Sequence, residues 1–271
     1  MTIRIAQYLG MEKVAEIANR TGVMENMPNV LSMALGAGET SLIDLTAAYA
    51  SFVNGGKKVE PSLIDRIQDR RGKNIFLENF AACINCDEPY IEENPIPKLV
   101  DSYESIFDEA KSYQMVSILK GAVDRGTGRK TKIDGIEIAG KTGTTNNNTD
   151  AWFIGFTSDL IIGVYAGFDK PKSLGKRETG SSVAVPIFRD FVKNYYQDKP
   201  ILPFTIPNGI ELIKINYDTG EIASEFNSSE SVYEAFSKSD NLVSSGEILV
   251  GSEGFQIIEV ADEVMEEYVI Y

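Results

Sequence analysis

Histidine is absent from the 271 residues. Its absence excludes a Ser–His–Asp or Cys–His mechanism and removes the imidazole ligands on which many zinc sites draw. Cysteine is nearly absent, with only Cys83 and Cys86 in Cys-Ile-Asn-Cys. Two thiols make half a zinc site at best, and a thioredoxin-type centre needs a βαβ context that Asp87-Glu88-Pro89 does not open. The pair is therefore expected to be a loop staple, either a short disulfide or a reduced dithiol, and no metal or cofactor is expected. No apolar run approaches the ~18 residues of a membrane span. Met1-Thr-Ile-Arg-Ile-Ala-Gln-Tyr8 has no apolar stretch after its basic residue, so it does not read as an export signal. With neither signal nor anchor among these residues, a cytoplasmic location is expected unless an upstream segment carries the chain elsewhere.

Positive charge is also scarce. The net charge is −14, and from Asp218 onward there are thirteen acidic residues against Lys238 alone. Residues 1–217 hold 27 acidic and 25 basic residues and are nearly neutral. No basic face invites nucleic acid. The acidic end reads as a solvated, weakly ordered tail over residues 227–271, of which 227–254 are rich in Ser, Gly and acid.

What is present is a mixed helix and strand pattern. Residues 3–20 have helical apolar spacing interrupted by Gly10. Thr40 is expected to cap a helix that runs to Asn54, with Leu42, Leu45, Ala48, Tyr49 and Phe52 on one face. Arg71-Gly72 turns a hairpin between residues 64–67 and 74–77. Residues 79–102, with both cysteines, three prolines and many acids, read as an irregular loop. A long helix is expected over 105–125, stopped by Gly126-Thr127-Gly128. Three strands come next, 137–145, 151–157 and 160–168, the last two joined tightly as an antiparallel hairpin. Pro186 suits the first turn of a helix that ends near Tyr196. Residues 210–216 and 221–223 form an expected last hairpin. The units are then 1–200, a hairpin at 201–226, and the tail.

The most telling stretch is Ala139-Gly-Lys-Thr-Gly-Thr-Thr145, with Asp150-Ala-Trp-Phe153 close behind it. Gly140 and Gly143 let other groups approach the strand closely. Lys141 can orient a carboxylate or lower a neighbour's pKa. Strand alternation puts Lys141 and Gly143 on one face and Thr142 and Thr144 on the other. At a sheet edge, an N–H at Thr144 can donate to an oxyanion, an interaction worth about 3–4 kcal/mol in acyl-transfer enzymes. Asp150 is read as a turn or strand-start residue and Trp152 as core packing.

Four blocks in order, residues 34–56, 113–128, 139–168 and 178–188, resemble the transpeptidase domain of class A penicillin-binding proteins. The match spans roughly residues 1–200, and a cysteine pair after the Arg71-Gly72 hairpin is similar to proteobacterial members. The resemblance implies an α+β fold of the serine β-lactamase-like transpeptidase type, an antiparallel sheet flanked by helices. It implies a serine that attacks the D-Ala–D-Ala bond of a peptidoglycan stem peptide, forms an acyl-enzyme and is trapped by penicillins, on the periplasmic side of the inner membrane. Residue by residue, Lys141 would orient the substrate, Thr142 and Thr144 would bind the terminal carboxylate of stem peptide or β-lactam, Thr144 N–H would be half of the oxyanion hole, and Gly143 would allow that approach.

The family uses Ser-x-x-Lys, Ser-x-Asn and Lys-Thr-Gly in that order. Only the third stands in its family context in this sequence, at residues 141–143. Met1-Thr-Ile-Arg4 resembles the residues just after the second motif, so the resemblance implies an N-terminally truncated version of the domain, without the nucleophile. Ser117-Ile-Leu-Lys120, Ser173-Leu-Gly-Lys176 and Ser239-Asp-Asn241 match the missing motifs as text, but their order and surroundings are wrong for a nucleophile, which needs its base and oxyanion donors at one carbonyl. The alternative expectation is a non-catalytic product of a split or decayed gene, or a binding module that complements an upstream chain carrying the missing motifs.

Overall fold

Gly10 divides the first helical segment: at φ 85° it separates α1 (Thr2–Leu9) from α2 (Met11–Arg20). The structure is a computed structural model that describes residues 1–78, 81–84, 96, 98–101, 103–223, 231–238, 250–251 and 254–255. It divides into two units, Met1–Ile206 and Pro207–Tyr271.

In the first unit, α3 spans Leu42–Val53. Its cap is Ser41 rather than the expected Thr40: the Ser41 hydroxyl accepts the Asp44 N–H at 3.1 Å. Thr40 instead donates its hydroxyl to the Val23 carbonyl at 2.9 Å, tying the preceding loop to the end of α2. Strands β1 (Arg66–Gln68) and β2 (Asn74–Leu77) form the expected hairpin, with a register shift after Ile67.

Residues 79–102 depart from the irregular loop the composition suggested. Strands β3 (Ala81–Ile84) and β4 (Lys98–Asp101) pair antiparallel, with Cys83 opposite Leu99 in the ladder. In sequence, Pro89, Pro95 and Pro97 fall between these strands rather than within them, which suits residues that cannot donate to a ladder. The expected Cys83–Cys86 staple involves Cys86, which lies outside the described residues.

Helix α4 (Glu109–Asp124) begins later than expected because Asp108 caps it, its carboxylate accepting the N–H groups of Ala110 and Lys111 at 2.9 and 3.3 Å. Strands β5 (Ala139–Thr144), β6 (Asp150–Phe156) and β7 (Ile161–Gly167) then form an antiparallel meander in the order β5-β6-β7. Helix α5 (Val185–Tyr195) closes the unit, with Pro186 in its first turn as expected.

The middle strand explains why the sheet is covered on both faces. Along β6 successive side chains alternate sides, yet Ala151, Phe153, Ile154 and Phe156 are all buried. Phe153 packs edge-on to Phe188 of α5, ring centroids 4.9 Å apart, in a cluster with Val185 and Val192. Phe156 points into a second cluster with Val116 and Leu119 of α4 and Phe204, against which Tyr49 and Phe52 of α3 pack. Gly163 admits α3 closely to β7, since a Cβ there would lie 2.1 Å from Thr46 Oγ1. This helix–sheet–helix stack is the rigid platform of β5.

In the second unit, β8 (Ile210–Asn216) was expected to pair with residues 221–223. That turn exists, with Ile215 bridged to Ile222 and the Ala223 N–H bonded to the Lys214 carbonyl at 2.8 Å. The long ladder is instead with β9 (Ser231–Ser237), inside the segment expected to be weakly ordered. Ala235 and Phe236 are buried there. The acidic composition pointed to a tail, but the local Val-Tyr-Glu-Ala-Phe sequence suits a strand that hides apolar groups.

Candidate functional site on strand β5

The β5–β6 ladder sets the direction of every polar group at this site. Its register pairs Lys141 with Ile154, Thr142 with Phe153, Gly143 with Trp152 and Thr144 with Ala151. Just past the strand, the Thr145 N–H bonds the Asp150 carbonyl at 3.2 Å. In an antiparallel pair only alternate residues exchange bonds with the partner. Gly143 and Lys141 therefore share the ladder with Thr145, while Thr142 and Thr144 turn their N–H and C=O groups to the outer edge. Among the described residues, no strand pairs with that edge.

The side chains obey the alternation. Lys141 is exposed, and its ammonium donates to the outward Thr142 carbonyl at 2.8 Å. Partial burial lowers its pKa from the usual lysine value. On the other face, Thr142 Oγ1 lies 2.8 Å from Thr127 Oγ1 in the turn after α4. Thr144 Oγ1 accepts the Gly180 N–H at 3.0 Å. That bond uses a lone pair and leaves the Thr144 hydroxyl hydrogen free to donate.

Gly180 opens a π-helical turn, Gly180–Ala184, ahead of α5. A Cβ on Gly180 would fall 2.4 Å from the Trp152 carbonyl oxygen and 2.5 Å from that of Gly143, so only glycine brings this segment onto β5. The Thr179 N–H bonds Ser182 Oγ at 2.8 Å, and Ser182 Oγ bonds Glu178 Oε2 at 3.1 Å, which stiffens the approach.

Asp150, read as a turn or strand-start residue, opens β6 and clamps the β5–β6 connection. Its carboxylate accepts hydroxyls of Tyr165 at 2.8 Å, Thr149 at 2.9 Å and Thr145 at 3.0 Å. Asn147 and Asn148 turn the chain between them at φ 61° and 52°, a conformation asparagine tolerates. The Asn148 carbonyl takes the Leu174 N–H at 2.8 Å. The Tyr165 hydroxyl, more than those of Thr149 and Thr145, holds the Asp150 carboxyl below the usual carboxylate pKa. A depressed folded-state pKa stabilises the fold above the unfolded-state value and is lost as pH falls through the folded one. Stability is therefore expected to decline in acid below the ordinary aspartate range, and Asp150→Asn to flatten that decline in denaturation series at several pH values. An unchanged acid limb in Asp150→Asn would remove Asp150 from this role.

Trp152 is not core packing as expected: it is half-buried and stacks edge-on with Tyr165, centroids 4.9 Å apart. The sequence marks Thr127 only as part of a helix stop and Gly180 only as part of a matching block; neither announces its contact with β5. Of the three text matches to missing motifs, Lys120 is ion-paired to Glu137 at 2.5 Å, Ser173 Oγ accepts the Gly175 N–H at 3.2 Å, and Ser239 lies outside the described residues.

The antiparallel meander, whose outer strand carries a lysine and two threonine hydroxyls and which helices flank on both faces, is an α+β arrangement. The family model for the penicillin binding protein transpeptidase domain matches residues 4–193. Penicillin-binding protein 1A of Rickettsia conorii is 45% identical over 229 residues, covering 82% of this chain and 28% of the relative. That of Rickettsia typhi is 40% identical over 275 residues, covering 99% and 34%. The crystal structure of penicillin-binding protein 1A from Haemophilus influenzae superposes with a TM-score of 0.70 at 29% identity, over 86% of this chain and 38% of that one. The chain belongs to the penicillin-binding protein transpeptidase family. It spans about a third of the length of these curated relatives.

Proposed function

We propose that this chain supplies the carboxylate-gripping strand of a D,D-transpeptidase site that cross-links peptidoglycan on the periplasmic side of the inner membrane. The observation that carries the reading is the edge of β5. Within six residues it offers the Lys141 ammonium, the Thr142 and Thr144 hydroxyls, and a Thr144 N–H directed off the ladder. Such a set is rich in donors and suits the terminal carboxylate of a stem peptide or β-lactam, with the Thr144 N–H facing the developing oxyanion. Gly143 keeps that approach open.

The acylating serine is assigned to residues outside 1–271. Lys120 is occupied by Glu137, which does not suit the lysine of a Ser-x-x-Lys pair. A fluorescent penicillin is therefore expected to leave no covalent label on the purified chain. Co-expression with an upstream segment carrying Ser-x-x-Lys and Ser-x-Asn is expected to produce labelling on that segment. N-acetyl-D-Ala-D-Ala is expected to shift the amide resonances of Thr142–Thr144, and Lys141→Met to weaken that binding by roughly tenfold or more. A penicillin adduct mapped to a serine of this chain, or no response of the strand to the dipeptide, would overturn the reading.

A further inference from the structure

The Gly126-Thr127-Gly128 turn does more than stop α4. A Cβ on Gly126 would lie 2.9 Å from the Ala122 carbonyl oxygen, and one on Gly128 3.1 Å from it, so both glycines let the chain fold back against the helix end. The Gly128 N–H donates to the Ala122 carbonyl at 3.0 Å, and the Thr131 N–H to that of Gly128 at 2.8 Å. Leu119 and Val123 anchor that end of α4 in the core. Thr127 is thus held by a stiff turn, and Thr142 by a regular ladder opposite Phe153. Their hydroxyl oxygens meet at 2.8 Å although both residues lie on accessible surface. A hydroxyl pair open to water contributes little to stability, because water competes for both partners. Stability alone does not account for the arrangement.

Two hydroxyls in contact place one hydrogen between them and leave the other free. A carboxylate only accepts. With one bound, the chain of donors runs from Thr127 O–H to Thr142 Oγ1, and from Thr142 O–H to the carboxylate, each bond polarising the next. We propose that Thr127 is a positioning residue of the β5 site: it fixes the Thr142 hydroxyl so that its hydrogen faces a bound carboxylate. The inference rests on the reading of β5 as a carboxylate-gripping strand.

The test compares N-acetyl-D-Ala-D-Ala with its C-terminal amide, monitored by amide shifts of β5 in the full chain. Thr127→Val keeps the shape and removes the hydroxyl; Thr127→Ser keeps the hydroxyl. Thr127→Val is expected to weaken the free acid by roughly five- to tenfold and leave the amide unchanged, with Thr127→Ser within about twofold of wild type. The unbound spectrum of each variant reports that β5 is intact. Unchanged binding of the acid by Thr127→Val, or equal losses for acid and amide, would refute the positioning role alone. Equal binding of acid and amide by the wild-type chain would instead refute the carboxylate reading of the strand.

Discussion

Phe153→Ala is expected to lower the stability of the first unit by about 3–5 kcal/mol, the range for emptying a buried phenylalanine site. Phe153 has no exposed surface, and its ring meets Phe188 at 4.9 Å. The site cannot collapse easily. Gly155 leaves space that Phe153 and Phe188 fill, since a Cβ there would stand 2.4 Å from one ring and 2.7 Å from the other. The walls beyond are Val185 and Val192 of α5, which are themselves fully buried. A loss of this size is comparable to the whole stability of many domains. Urea denaturation measures it directly. A midpoint change worth less than ~1 kcal/mol would mean that the two aromatic rings are not the keystone between sheet and α5.

Gly180→Ala is expected to cost the β5 site most of its affinity for N-acetyl-D-Ala-D-Ala, by roughly tenfold or more, and to destabilise the fold by about 1–3 kcal/mol through overpacking. The added methyl group would fall within 2.5 Å of two backbone oxygens, those of Trp152 and Gly143. Neither can swing aside as a side chain would, because both belong to the β5–β6 ladder. The approaching segment is no softer, being closed by the Thr179–Ser182 capping box. The segment must therefore lift from the strand, and Thr144 Oγ1 loses the Gly180 N–H that orients it. Dipeptide titration together with a thermal melt reads both effects. Wild-type affinity in Gly180→Ala would show that the Thr144 hydroxyl needs no backbone partner.

The two substitutions differ in how far they were legible. Phe153 announces itself: it lies in an apolar run, Ala151–Phe156, whose covered middle strand is what a continuous apolar pattern implies. Gly180 looks like any loop glycine until the strand it touches is known. The same contrast holds in the second unit. Residues 210–216 read plainly as a strand, but the near segment at 221–223, the partner that sequence proximity suggests, is only the minor one. The chain closes the short turn and also reaches on to 231–237, where buried Ala235 and Phe236 offset the longer connection. Acidic composition, averaged over a window, hid that local alternation. Helix starts were shifted for a similar reason: Thr40 and Ser41 are equivalent caps on paper, and only the neighbouring Val23 carbonyl decides between them.

The sequence by itself determined the exclusion of imidazole chemistry, the main helices and the three strands β5–β7, the family, and which residues of β5 share a face. The exclusion, the element types and the shared face come from composition and from periods of two and 3.6 residues, which are local, whereas the family comes from the resemblance of whole blocks in order. The tertiary structure alone decided what each hydroxyl of that face touches. Thr142 meets Thr127, 15 residues away, and Thr144 meets Gly180, 36 residues away. Periodicity states the side a residue points to but not what stands there, because that depends on where distant turns pack onto the same strand.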